Sequence, residues 1–171
     1  MRIRLFAIIL CCICAAPYLG CAGAPEPEVV AVGSVVPQFA LKTLDGATVK
    51  SNSLKGQIVV LNFWATYCPV CRGEIPDLNK LASGSGAKVV SIALDQEGAP
   101  VVRSFLKETK VEYPVLIGDE ETFERFQGVG IPYTLVLDRS QRVAKIYRGP
   151  ASVESLEADV KAIEQGLRAS N

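Results

Sequence analysis

Cys68 and Cys71 stand at C-x-x-C spacing in the stretch Phe63 to Glu74, FWATYCPVCRGE, directly after an apolar run. The 171-residue chain has six cysteines and no histidine. A pair at this spacing has three physical uses. A zinc site needs about four ligands, commonly Cys and His; one pair without histidine leaves that shell open. A structural disulfide would close a very short loop, where a cross-link constrains the unfolded chain least. The third use is redox: a thiolate attacks a disulfide, forms a mixed disulfide, and a neighbouring thiol resolves it. The lack of histidine also excludes serine-hydrolase and metallo-hydrolase sites that depend on one.

Redox chemistry needs an activated first sulfur and a covered second one. Ile58 to Phe63 is a β-rich apolar run bounded by turn residues, which predicts a buried strand. A helix is predicted from Pro69 to about Ala82, with proline in its first turn and Pro76 as a kink. Cys68 then sits at a helix N-terminus, where the dipole favours the thiolate. Cys71, one turn in, is the resolving thiol.

The flanking elements alternate. Gln38–Leu41 and Thr48–Lys50 flank the Asp45-Gly46 turn as a hairpin. Lys88–Leu94 reads as a second buried strand and Pro100–Thr109 as a helix with Val101, Val102, Phe105 and Leu106 on one face. Pro114–Ile117 is extended, Glu121–Phe126 a short helix, and Tyr133–Leu137 and Val143–Tyr147 two strands. Ser152 can cap a last helix with an inner face of Val153, Leu156, Val160, Ile163 and Leu167. A βαβ unit followed by ββα makes an α/β fold: one mixed sheet with helices on both faces and an N-terminal β-hairpin extension.

The other four cysteines, Cys11, Cys12, Cys14 and Cys21, crowd the N-terminus. Arg2 and Arg4 precede an apolar run from Leu5 to Ala16, shorter than the ~20 residues needed to span a bilayer. This is the pattern of a secretory signal peptide. Gly20-Cys21 resembles the bacterial lipoprotein signal, with Tyr18 where leucine is usual. The resemblance implies a signal peptide over 1–20, lipidation of Cys21 and a membrane anchor. A conventional cut near Ala22 or Ala24, or an uncleaved anchor, are the other readings. Loss of the leader leaves 16 basic and 18 acidic residues, net −2, with no basic stripe for nucleic acid. Residues 21–32 read as a tether and 33–171 as the folded domain. Residues 22–30 reach about 30 Å at most when extended. The compartment is then extracytoplasmic (periplasmic), where disulfides persist.

A C-x-x-C beside a βαβ pattern is the signature of a thioredoxin-like redox motif. Residues 63–76 resemble the F-W-A-x-W-C-x-x-C-R-x-E-x-P core of the TlpA/ResA-like thiol–disulfide oxidoreductases, membrane-tethered thioredoxin-fold proteins of bacteria. Gly33, Pro37, Phe39, Leu41 and Gly46, Leu54-Lys55-Gly56, and Gly130-Ile131-Pro132-Tyr133-Thr134 match the same family, so the likeness runs over about 33–165. It implies a cis Ile131–Pro132 bond facing the dithiol, with the Ile131 backbone free to pair with a client segment. It implies that Trp64 shields the dithiol, and that Asn62 stands where ordinary thioredoxins carry a buried Asp. The family's proton-accepting Glu after the next strand matches Glu97, with Asp95 as the neighbouring alternative. Glu74 reads as a helix-surface or first-turn charge, and Arg72 as a modulator of Cys68 or a solvated side chain. Tyr67 replaces the family's Trp. Pro69 and Val70, between the cysteines, set the exposure of Cys68.

The resemblance implies a reductant of protein disulfides, such as those of apocytochrome c. It would be recharged by a membrane thiol electron donor and act as a monomer with no metal and no cofactor beyond the Cys68–Cys71 disulfide. Two other functions compete. A peroxiredoxin-like thiol peroxidase needs P-x-x-x-T-x-x-C, and counting back from Cys68 gives Leu61 and Ala65. A non-catalytic binding lipoprotein or metallochaperone would survive loss of Cys68; copper chaperones of this fold normally add a histidine.

Overall fold

The structure is a computed structural model, described here for residues 29–84 and 86–166. The leader, Cys21 and Leu167 lie outside the described residues. The elements in order are β1 (Ala40–Thr43), β2 (Thr48–Lys50), a 3-10 turn (Ser51–Leu54), β3 (Ile58–Trp64), α1 (Pro69–Gly84), β4 (Ala87–Ala93) and α2 (Ala99–Glu108). There follow β5 (Val115–Ile117), α3 (Glu120–Arg125), β6 (Tyr133–Leu137), β7 (Val143–Arg148) and α4 (Val153–Glu164). The predicted elements are all present, with ends displaced by one or two residues. Helix α1 continues through Pro76 as one element.

The strands form one sheet of order β2-β1-β5-β4-β3-β6-β7. Strands β3, β4 and β5 are parallel, and β6, β7 and the β1–β2 hairpin are antiparallel additions. The crossovers β3-α1-β4 and β4-α2-β5 step in the same direction. A right-handed connection therefore puts α1 and α2 on one face. On that face Leu78 and Leu81 of α1 and Leu156 and Val160 of α4 pack on Ile58, Val60, Val89 and Val136. The opposite face carries Phe63, Leu61, Leu135, Phe126 and Phe39, with Phe123 of α3 against them. Strand β3 is buried along its whole length, as a central parallel strand must be.

Ordered packing begins earlier than the expected domain start. Val30, inside the stretch read as tether, is 4% exposed, belongs to the aromatic core and donates its N–H to Gln127 Oε1 at 3.2 Å. Gly33 and Val36 donate to the Val143 and Gln141 carbonyls. The apolar side chain of Val30 is worth more inside the core than in water, so the packed domain includes it.

Candidate active site

Cys68 lies between the end of β3 and the first residue of α1, at the sheet edge where the parallel strands finish. It is joined to Cys71 by a disulfide with Cα atoms 5.3 Å apart. Its sulfur accepts the Cys71 N–H at 3.2 Å, and its carbonyl accepts the Arg72 N–H at 3.1 Å. Cys68 thus does the work of a helix N-cap, with a free backbone donor aimed at its sulfur. Cys68 is 9% exposed and Cys71 2%, which makes Cys68 the sulfur a client can approach.

The approach to Cys68 is held from below. Cys68 N–H closes on the Ala65 carbonyl at 3.1 Å. Asp95, at the end of β4, accepts the Thr66 N–H at 3.1 Å and the Thr66 hydroxyl. Asp95 is 4% exposed, and its carboxylate is occupied by this loop. Trp64 is buried in one cluster with both cysteines, Ile75 and Ala93, its ring 5.5 Å from that of Phe105. The Arg72 guanidinium lies over Phe105 at 5.6 Å from the ring centre. Tyr67, Pro69 and Val70 are exposed beside Cys68.

The Ile131–Pro132 peptide is cis. Pro132 is buried, Ile131 is half-buried against the dithiol cluster, and the Pro132 carbonyl accepts the Gly149 N–H at 2.9 Å. The structure therefore gathers Trp64, Cys68, Cys71 and Ile131 around one cluster, with Pro132 beside it. Glu97 is exposed in the turn before α2.

The reading of Glu74 as a helix-surface charge is overturned. Glu74 is 7% exposed, one helical turn beyond Cys71. Its Oε1 accepts the Ala151 N–H at 2.6 Å, and its Oε2 has no partner. Burial pushes its carboxyl up to about 7 and nearby Asp77 adds to the rise, while the Ala151 N–H opposes both. A carboxyl balanced near neutrality can take up and release a proton at working pH. Helical spacing carried the signal. Glu74, Leu78 and Leu81 follow Cys71 at i+3, i+7 and i+10, on the side that packs inward. Buried Tyr113, whose hydroxyl is pushed above its ordinary range by burial and by the Glu74 carboxylate, closes this side. Among the described residues no three His, Cys, Asp or Glu side chains converge as metal ligands.

A dithiol at the end of a parallel strand, capping the next helix and facing a cis-proline loop, defines a thioredoxin-fold thiol–disulfide oxidoreductase. The chain belongs to the AhpC/TSA family, which it matches over residues 32–155. It is 31% identical over 142 residues to the thiol-disulfide oxidoreductase ResA of Geobacillus thermodenitrificans, covering 81% of this chain and 82% of that protein. A thiol:disulfide interchange protein of Chlorobium tepidum is 34% identical, with a TM-score of 0.67 over 78% of this chain and 97% of that one. A secreted Mycobacterium tuberculosis disulfide oxidoreductase homologous to E. coli DsbE is 25% identical, with a TM-score of 0.65 over 73% of this chain and 96% of that one.

Proposed function

We propose that this chain is an extracytoplasmic, membrane-anchored reductant of protein disulfides, working through Cys68 and Cys71. Cys68 thiolate attacks the client disulfide, forms a mixed disulfide and expels one client thiolate. Cys71, relieved of its proton, attacks Cys68, and the second client thiolate leaves with the electron pair and takes up a proton. The observation that carries this reading is the capping position of Cys68, whose sulfur receives the Cys71 N–H at the start of α1. A thiolate there gains both the hydrogen bond and the helix dipole.

Glu74 is the acid best placed to take the Cys71 proton, being buried one turn along the same helix. Glu97, solvated in its turn, is the weaker choice. The client lies along Ile131 and Pro132 and over Tyr67, Pro69 and Val70, while Trp64 keeps water from the dithiol. Apocytochrome c is the client class that the ResA likeness suggests, with a membrane thiol donor to recharge the pair.

The anchor rests on Cys21 and the leader sequence. No helix among the described residues is long and apolar enough to cross a membrane. Membrane fractionation of wild type against Cys21→Ser tests it.

The deciding experiment is the reduction potential of the Cys68–Cys71 pair against glutathione and dithiothreitol buffers. A value near or below about −230 mV makes the protein a reductant, and one near −120 mV makes it an oxidant. A pair that cannot be cycled ends the redox reading. The AhpC/TSA family name also covers thiol peroxidases, but Leu61 and Ala65 stand where a peroxidatic site needs Pro and Thr.

A further inference from the structure

Three chain segments meet at the end of the sheet opposite the dithiol. Strand β3 runs from Ile58 to Trp64, so Lys55-Gly56 precedes its first residue and Cys68 follows its last. The two ends of β3 are about 20 Å apart. The Asp138–Arg142 turn between β6 and β7 sits beside Lys55-Gly56. Here the Gly56 N–H donates to the Arg139 carbonyl at 2.8 Å, and the Arg139 guanidinium donates to the Gly56 carbonyl at 3.4 Å. The third segment is the N-terminal arm. Val35 bridges to Arg142, the Gly33 N–H donates to the Val143 carbonyl at 2.7 Å, and the Arg142 guanidinium donates to the Gly33 carbonyl at 2.8 Å.

This end mixes exposed valines with uncompensated cations. In the arm, the Ser34 N–H closes on the Ala31 carbonyl at 2.9 Å, with Gly33 at φ 92° in the third place of the turn. Val32 is left at the tip, where glycine, proline and small polar residues are the common choice. Val32 is 65% exposed and Val35 42%. Lys55, Arg139 and Arg142 are exposed in the adjoining segments, and among the described residues none of them is in an ion pair. Asp138, the acid of that turn, is half-buried, and its Oδ1 accepts the N–H groups of Ser140 and Arg142. At the dithiol end the signs mix: Lys42, Arg72 and Arg148 stand among Glu97, Asp119 and Glu120. Apolar tips beside free cations fit a bilayer with anionic headgroups, which attracts the charge and takes valine at the headgroup boundary. The chain also brings this end close to one. Residues 22–30 link Cys21 to the core-bound Val30 with a reach of about 30 Å, and the Val32 turn comes two residues later. Tethering at that range raises the local concentration, so a weak surface suffices.

We propose that Val32 and Val35, with Lys55, Arg139 and Arg142, form a docking surface for an anionic lipid bilayer. The lipid on Cys21 supplies attachment, and this surface supplies orientation. Resting on it, the domain holds Cys68 and the cis-proline loop on the side away from the membrane, where clients arrive. The inference rests on the reading of the chain as anchored through Cys21.

The processed protein, isolated from membranes, is first weighed by mass spectrometry. An unlipidated Cys21 refutes the anchor but not the surface, because vesicles in excess can then be added to the free protein. In either form, lysines are acylated on vesicles of phosphatidylcholine and on vesicles with about one-third phosphatidylglycerol, and each site is counted by mass spectrometry. The expected result is Lys55 labelling about threefold lower on the anionic vesicles, with Lys42 at the dithiol end unchanged. Labelling of Lys55 should recover in about 1 M salt, where the screening length falls to about 3 Å. Val32→Ser combined with Arg139→Gln should remove the difference, with the melting temperature recorded beside it. Equal Lys55 labelling on the two vesicles overturns the proposal, as does a difference that survives in the folded double variant. Lys42 protected in step with Lys55 overturns the orientation. Protection of Lys55 that is the same without anionic lipid and grows with protein concentration assigns the surface to a second copy of the chain and overturns the proposal as well.

Discussion

Glu74 Oε1 accepts the Ala151 N–H at 2.6 Å, tying the dithiol helix to the segment that leads from β7 into α4. Two residues back in that segment, Gly149 donates to the carbonyl of Pro132. The buried carboxyl one turn beyond Cys71 and the cis-proline loop therefore share one short stretch of backbone.

Replacing Glu74 should change how stability depends on pH. Its carboxyl rises from 4.5 to about 7 on folding, so the folded state holds the proton more tightly. The stabilisation this brings is complete below about pH 4.5 and is lost as pH climbs through about 7. Glu74→Gln should flatten the profile and be the more stable protein at pH 8, by roughly 2–3 kcal/mol at about 1.4 kcal/mol per pH unit. Urea melts at pH 5 and pH 8 read it directly. Equal pH slopes in the two proteins would show that the Glu74 carboxyl is not perturbed.

The order of the cysteines is tested by trapping. Cys71→Ser should accumulate a covalent mixed disulfide with a cystine-containing client, visible by non-reducing electrophoresis and released by dithiothreitol. Cys68→Ser should form little. Equal trapping by both variants would contradict the roles given to the two sulfurs.

Asp95 holds the loop before Cys68 through both polar groups of Thr66. Asp95→Ala leaves the half-buried N–H and hydroxyl of Thr66 without their acceptor, at a cost of about 1–2 kcal/mol. Thiol–disulfide exchange should slow because the loop no longer fixes Cys68 at the helix start. Denaturant melts and insulin reduction measure the two effects. Unchanged exchange in a folded variant would mean that α1 alone positions the sulfur.

Tyr147 on β7 donates to Asp159 of α4 at 2.6 Å, and Asp159 is 3% exposed. Tyr147→Phe strands a buried carboxylate oxygen and should cost about 1–3 kcal/mol. Tyr147 packs against the α1–α4 core and not in the dithiol cluster, so the reduction potential should hold. A potential that moves with this variant would reveal coupling through α4.

Much of the architecture was legible because it is written in local chemistry. Short β-rich apolar runs marked β3 and β4, and the Asp45-Gly46 turn marked the hairpin. Pro69 and Ser152 marked helix starts, and Ser152 does accept the Ser155 N–H. The C-x-x-C pair needs only its own spacing and one flanking strand and helix to name its chemistry.

Long-range placement was not legible. Nothing local says that Val30 turns into the core, or that Glu74 meets Ala151, 77 residues away in the chain. The polar row of Ser91, Asn62 and Thr134 exists only because strands from three parts of the sequence pair in that register. The sequence by itself determined the reactive pair and the elements that carry it, because these depend on neighbours in the chain. Tertiary structure alone decided which backbone group meets the Glu74 carboxyl and which polar residues line up across the sheet, because long-range contacts and strand register are set by residues far away in sequence.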